Sequence, residues 1–417
     1  MNRREFLTLT TAAGAALFVD RLGLLHALAA QPLNGTFDLA AARRELAAHH
    51  IASIDPRTLE QRFPRFVGAN AQHGPSGWGG QFRVSLITTD KGAIGWGDGY
   101  DARGAERFIG AAVGDLFDVE NGTGDDVPRW IEMPLYDLAG HILDTPVYEM
   151  IGGHGPRNVY VYSGAVYFGD LLPDEKPRGV PGVIAACRQD YELGYRAFKL
   201  KMGRGNRWMP RPEGLKRDIE VTRAVREEFP DCRILVDAND GWTVQNACDY
   251  VKAVADCNLY WIEEPFWENA DDLRRLKDAM HSAGCTAYIA DGEDHRHWAQ
   301  PPTAYGGYTR EFMDHLYKLA GERLVDVFVM DIFVVGFSRW RKIMPELKKA
   351  GVWAAPHTWN STMKATCTVQ LAAGAGNVCI VEGIPAAVKG ADFSAYRFEH
   401  GHLVMPQKPG FGLTLES

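Results

Sequence analysis

The sequence contains no Cys-x-x-Cys pair. Its seven cysteines, Cys187, Cys232, Cys248, Cys257, Cys285, Cys367 and Cys379, are scattered and odd in number. They read as buried free thiols, and their spacing argues against a structural zinc site. Basic residues are not in excess: 45 Lys and Arg stand against 53 Asp and Glu, a net charge of −8 over 417 residues. Nucleic-acid binders carry a basic face, so no nucleic-acid partner is expected, nor a hold on anionic lipid. No apolar run suits a stable membrane insertion, because the one near the N-terminus, from Leu9 to Val19, is cut by Asp20 and Arg21. Low-complexity tracts are absent. With 46% hydrophobic and 24% charged residues, the composition is that of a globular chain with ample core.

The N-terminus itself has a pattern. Asn2-Arg3-Arg4-Glu5-Phe6-Leu7 precedes the apolar run, and Ala27-Leu28-Ala29 places small residues as a cleavage site requires. Residues 1–30 are therefore expected to be a twin-arginine-type signal peptide, with the protein periplasmic or otherwise exported. That route carries folded proteins, which suits an enzyme that acquires its cofactor first. It also removes the expectation of a disulfide framework.

Residues 50–160 read as an α+β unit. Residues 82–88 alternate like a half-buried strand, Asp90-Lys91-Gly92 is a turn, and 93–97 begin the return strand. Helices are expected over 107–116 and 129–143, the second with Ile131, Leu135, Leu138 and Ile142 at helical spacing. From about residue 157 the rhythm changes. Short apolar runs at 159–165, 197–201, 234–239, 260–263, 287–293, 327–331, 352–357 and 378–382 alternate with amphipathic helical text. A βα unit takes about 30 residues, so this predicts a TIM-type (β/α) barrel of seven to eight units over 161–389. Wide gaps at 203–213 and 297–309 imply inserted loops rich in Gly, Pro, Trp and Tyr. Residues 390–417, with the turn Pro409-Gly410, are expected to return to the 50–160 unit.

In such a barrel, polar residues at the C-terminal strand ends face the active site. Here they are Lys199 and Lys201, Asp237 and Asn239, Glu263 and Glu264, Glu293, Asp331, His357 and Glu382. Asp237, Glu263 and Glu293 come from three neighbouring strands. Three such charges sit together only if a cation or protons neutralise them, and hard oxygen donors without cysteine favour Mg²⁺. Strand alternation leaves Asp291 as an alternative to Glu293. Lys199 and Lys201 are two apart and share a face. A neighbouring ammonium lowers the pKa of a lysine, which makes Lys201 a candidate base. His357 is the complementary acid or base, with Asp331 on the preceding strand placed to hold one ring nitrogen.

These residues, taken in order, resemble the enolase superfamily, specifically its mandelate racemase subgroup. Met133-Pro134-Leu135-Tyr136-Asp137-Leu138-Ala139-Gly140, followed by Pro146-Val147-Tyr148 and Gly152-Gly153, is similar to that family's cap-to-barrel helix. Phe198-Lys199-Leu200-Lys201 resembles its paired-lysine motif. Val236-Asp237-Ala238-Asn239, Trp261-Ile262-Glu263-Glu264-Pro265 and Gly292-Glu293 resemble its metal-ligand strands. Asp331 with His357 resembles its dyad, Glu382 its last-strand acid, and Pro409-Gly410-Phe411-Gly412 its returning tail.

The resemblance implies an α/β fold, a modified TIM barrel capped by residues 50–160 and the tail. It implies one Mg²⁺ per active site, a small carboxylate substrate of the acid-sugar kind, and a homo-oligomer. The implied reaction is abstraction of the proton α to the carboxylate through an enediolate, leading to dehydration to a 2-keto-3-deoxy acid. Lys201 and His357 act on opposite faces, Lys199 lowers the pKa of Lys201, and Glu382, protonated, hydrogen-bonds the developing oxyanion. Asn239 and Glu264 support the metal ligands or touch substrate. The resemblance places a gating loop of the cap at 72–80. Racemisation or epimerisation of a 2-hydroxy acid is the alternative. A non-catalytic exported binder on the same fold would show erosion of the lysines and dyad, and none is visible. A metal-dependent hydrolase has only Glu293-Asp294-His295 to draw on.

Overall fold

The computed structural model describes residues 38–172, 177–293, 298–303 and 306–416. The expected signal peptide, and Asp294 and His295, lie outside them.

A long hairpin organises the cap. β1 (Ile51–Val67) pairs antiparallel with β2 (Gly77–Thr89), which pairs with β3 (Ile94–Asp98). Pro56 and Pro64 break the alternation of β1, so its sequence does not read as a strand. α1 (Leu39–Ala47), N-capped by Asp38, packs Ala42 and Leu46 inward, so the cap begins before the expected residue 50. The helix expected over 107–116 is two short turns instead, Glu106–Phe108 and Val113–Leu116. Gly110 between them has φ +82°, a left-handed conformation that ends a helix.

The cap sheet lies against α2 (Arg129–Ile142). A Cβ on Gly95 would stand 2.3 Å from the Leu138 nitrogen, and one on Gly97 2.8 Å from that of Pro134. Only glycine lets β3 approach the helix backbone so closely. Buried Asp137 of α2 accepts from Trp96 N (2.9 Å) and Phe411 N (2.8 Å), joining helix, cap sheet and tail.

Eight of the described strands close a parallel barrel: β4 (Asn158–Val166), β5 (Ala197–Lys201), β6 (Arg233–Asp237), β7 (Trp261–Glu263), β8 (Tyr288–Asp291), β9 (Val327–Phe328), β10 (Trp353–Ala354) and β11 (Val381–Gly383). β11 pairs back onto β4, and a bridge between Ala354 and Val378 links β10 to the last unit. Each overlaps one predicted run. Between them run α3 (Val180–Glu192), α4 (Arg211–Glu228), α5 (Val244–Ala253), α6 (Ala270–Ala283), α7 (Arg310–Gly321), α8 (Ile332–Val335), α9 (Phe337–Ala350) and α10 (Thr362–Ala375).

The chain after the barrel makes three docking contacts. β12 (Ala387–Lys389) pairs with β1 of the cap. β13 (Arg397–Glu399) and β14 (His402–Val404) instead add to the barrel: β14 pairs antiparallel with residues 158–160 at the start of β4, a segment the sequence assigns to the cap. That start of β4 presents backbone groups that need partners, and the tail supplies them. Only its last stretch, around Phe411, reaches α2.

The inserted loop after β5 is anchored from within. Arg204, 1% exposed, meets Asp170 at 2.8 Å and Asp218 at 2.8 Å. Asp218 also accepts from Gly203 N (2.9 Å) and Trp242 Nε1 (3.0 Å). So fixed, the loop reaches the cap: Asn206 Nδ2 donates to Ala71 O (3.0 Å) and Trp208 Nε1 to Asn70 O (2.7 Å). The expected gating loop is shorter than 72–80, because Gly77–Gly80 already belong to β2.

Candidate active site

The lysines of β5 point into the barrel mouth and are fully desolvated; each stands over a tyrosine ring, Lys199 at 5.4 Å from Tyr162 and Lys201 at 5.1 Å from Tyr167. Lys199 Nζ lies 2.8 Å from Glu263, 3.3 Å from Glu382 and 3.4 Å from Asp237. Lys201 bonds Asp237. Burial pushes both ammonium groups down in pKa, but the facing carboxylates outweigh it and both end above the ordinary lysine value. Lys199 does depress Lys201, as expected, yet Asp237 acts more strongly. The lysine pair alone therefore does not give the depressed base expected, because Asp237 outweighs the neighbouring ammonium.

Asp237 and Glu263 end adjacent strands and share Lys199. Asn239 N donates to Asp237 Oδ1 (2.9 Å), and Gln72 of the cap loop donates to Asn239 O (2.9 Å). Asn239 (φ +43°) and Glu264 (φ +40°) both adopt left-handed backbone; neither is glycine, and such strain gathers at functional sites. Glu264 is buried, accepts from Glu293 N at 3.2 Å and from Asn239 Nδ2 at 3.5 Å. Burial, with Asp240, Glu293, Asp237 and Asp291 nearby, pushes its carboxyl well up.

Glu293 departs from expectation. Its carboxylate is 2.5 Å from His357 Nδ1 rather than beside Asp237 and Glu263. Among the described residues, no three His, Cys, Asp or Glu groups are drawn together around a common cation position. The lysines hold Asp237 and Glu263, and the imidazole holds Glu293. His357 Nδ1 also faces Asp331 Oδ2 at 3.4 Å, and Nε2 faces Glu382 at 3.6 Å. Burial lowers the His357 pKa, but Glu293, Glu382 and Asp331 together carry it up to about 10.

Glu382 differs too. It accepts from Thr358 N at 2.9 Å. Burial raises its carboxyl, but Lys199 and His357 win, and it sits below the ordinary value. The two cations that flank it favour its carboxylate form over the protonated donor that the resemblance implies. Lys364 is a further member that the sequence reading missed; it lies 2.9 Å from Asp331.

Whether the residues fit Mg²⁺ is answered by charge and by one atom. Asp237, Glu263, Glu264, Asp291, Glu293, Asp331 and Glu382 are all buried, against Lys199, Lys201, Lys364 and His357. Buried carboxylates in such surplus call for a cation or for protons; burial pushes Glu263 up to about 8 and Glu264 well up, and a cation would take the place of those protons. Glu263 Oε2 is buried without a hydrogen-bond partner, an acceptor left over in the way a ligand to a hard cation would be. The donor set fits.

Residues 182–417 match the family model described as "Enolase C-terminal domain-like". The chain is 25% identical over 380 residues to the D-xylonate dehydratase of Haloferax volcanii, covering 79% of this chain and 82% of that protein. A galacturonate dehydratase from Geobacillus sp., solved with D-galacturonate and 5-keto-4-deoxy-D-galacturonate, is 32% identical, with a TM-score of 0.79 over 88% of this chain and 95% of that one. A mandelate racemase/muconate lactonizing protein from Geobacillus sp. Y412MC10, solved with magnesium and tartrate, is 31% identical, with a TM-score of 0.79 over 89% and 94% of the two chains.

Proposed function

The chain belongs to the mandelate racemase group of the enolase superfamily, and on that premise we propose that it is a Mg²⁺-dependent acid-sugar dehydratase whose substrate is a hexuronate. The observation that carries the reading is the placement of Lys201 and His357. They come from the ends of the second and seventh barrel strands, and both stand near enough to Glu382 for their charge to act on it, His357 at 3.6 Å. A proton-taking amine and a proton-giving imidazole are thus ranged about one carboxylate.

Asp237, Glu263 and Glu293 would hold Mg²⁺. When bound, it supplies positive charge against the substrate carboxylate, which makes the α-proton acidic. With Asp237 given over to the metal, the carboxylate that raises Lys201 would no longer pair with it, and Lys201 would take that proton as the neutral amine. The β-carbon–oxygen bond breaks, and His357 gives its proton to the departing hydroxide, so that water leaves. The enol formed becomes an α-keto, β-deoxy acid. Asp331 steadies the His357 ring, and Asn239 fixes Asp237 through its backbone N–H. No oxidant or reductant is needed. In a hexuronate the carboxylate is C6, so the α-carbon is C5 and the leaving hydroxyl is on C4. A 5-keto-4-deoxy product, as named for the Geobacillus relative, is this same elimination.

The test is a panel of hexuronates, aldonates and aldarates offered to the Mg²⁺-loaded protein in deuterated water. An α-keto acid from D-galacturonate is expected. A deuterated epimer without keto acid would support the racemase alternative instead. No product from any member would sink the dehydratase reading.

Export through the twin-arginine route belongs to the same reading and rests on residues 2–29 of the sequence. Arg3→Lys with Arg4→Lys is expected to keep the protein in the cytoplasm. Periplasmic recovery at the wild-type level from that variant would refute it.

A further inference from the structure

We propose that Lys364 is a positioning residue for the His357–Asp331 pair: it holds the Asp331 carboxylate in the orientation that sets the His357 ring. Lys364 occupies the first turn of α10, where its backbone N–H faces the N-cap Ser361 (3.4 Å). A cation in that turn opposes the helix dipole, so its presence needs another reason. The reason is its partner. Lys364 Nζ lies 2.9 Å from Asp331 Oδ2 and 5.0 Å over the Phe333 ring, with the two charged side chains only 19% and 8% exposed. A pair this desolvated is not an ordinary surface salt bridge.

The geometry of Asp331 gives that partner a role. Oδ1 accepts from Phe333 N (2.7 Å) and Val334 N (3.1 Å). Oδ2 is shared between Lys364 at 2.9 Å and His357 Nδ1 at 3.4 Å. One oxygen is therefore pinned by backbone, and Lys364 decides where the other sits. Glu293 also faces Nδ1, at 2.5 Å, but it is one of the proposed metal ligands; in the Mg²⁺-loaded protein Asp331 would be the carboxylate that sets the ring, and without Lys364 its Oδ2 is left to His357, so that carboxylate and ring turn together and the proton on Nε2 is aimed elsewhere. A displacement of about 1 Å in such a group costs on the order of 10²-fold in rate. Lys201 is held by Asp237 on another part of the barrel and keeps its place.

The kinetic arm of the test rests on the dehydratase reading; the spectroscopic arm does not. With the Mg²⁺-loaded full chain and D-galacturonate, Lys364→Met is expected to lower kcat by on the order of 10- to 100-fold. KM and solvent exchange of the α-proton should both stay within about twofold. Lys364→Arg should recover most of kcat. The second arm uses ¹⁵N-histidine-labelled holoprotein, with the His357 ring resonances identified by their loss in His357→Asn. Lys364→Met should shift them, Lys364→Arg should bring them back towards wild type, and Lys364→Met should add nothing to Asp331→Asn, since it acts through that residue. Ring resonances untouched by Lys364→Met, or a shift fully additive with Asp331→Asn, overturn the proposal whether or not any sugar is turned over. Resonances that move as expected in a protein inert to every acid sugar overturn only the dehydratase reading.

Discussion

His357→Asn is expected to lose keto-acid formation by about 10²- to 10⁴-fold, the range of a positioned acid or base, while still exchanging the α-proton of its substrate in deuterated water. Lys201→Ala is expected to lose both. The asymmetry follows from the site. Lys201 and His357 do not touch: Lys201 bonds Asp237, whereas His357 is held by Glu293 at 2.5 Å, Asp331 at 3.4 Å and Glu382 at 3.6 Å. Each has its own supports, so loss of one leaves the other in place. Proton abstraction comes first, and a base that equilibrates with solvent returns deuterium to the α-carbon even when hydroxide cannot leave. Without the base nothing is exchanged, because Lys199 is committed to Glu263 and Glu382. Mass spectrometry of recovered substrate measures exchange, and keto-acid absorbance measures turnover. Two variants that exchange and turn over like wild type would defeat the mechanism, and a reversed pattern would exchange the two roles.

The strand-end residues were legible because a barrel turns a one-dimensional rhythm into a ring. Once β5 to β11 are spaced along the chain, the polar residue at each end has nowhere to go but the mouth. The pairing within the ring was not legible. Glu293 and His357 are 64 positions apart, and nothing local says that the carboxylate meets the imidazole rather than its fellow acids. The state of Glu382 depends on Lys199 and His357 together, contacts made only after the barrel closes. Lys364 stands on a helix, where the barrel rhythm marks no site residue. One local sign was available: a lysine in the first turn of a helix, directly after the His357 loop, with the dipole against it. In the cap, the sequence showed the half of the hairpin that alternates and hid β1, whose prolines and most of whose charges face solvent, while Arg65 turns in to buried Asp190. The 107–116 helix failed on Gly110, a residue whose φ of +82° no periodicity count registers. The last residues of the tail do reach the cap helix, whereas its earlier strands answer the bare start of β4.

Chelation is expected to abolish turnover and α-proton exchange alike, by at least about 10³-fold, since several kcal/mol of charge stabilisation leaves with the cation. Mg²⁺ should restore both. Exchange is lost with turnover because the cation would supply the charge that makes the α-proton acidic. Calorimetric Mg²⁺ titration separates this from a general loss of activity. Glu263→Gln removes the charge behind the unpartnered Oε2 while keeping the shape, and ligand charge tunes affinity for a hard cation, so its Mg²⁺ affinity should fall by at least about tenfold. The same titration decides between the two acids of the fifth strand. Asp291 Oδ1 is turned back onto Gly292 N at 2.7 Å, whereas Glu293 faces the mouth through His357. Glu293→Gln should therefore weaken Mg²⁺ as Glu263→Gln does, and Asp291→Asn should leave it near wild type. Wild-type affinity in Glu293→Gln with loss in Asp291→Asn would transfer the third ligand to Asp291; full turnover in the chelated protein would remove the metal from the mechanism.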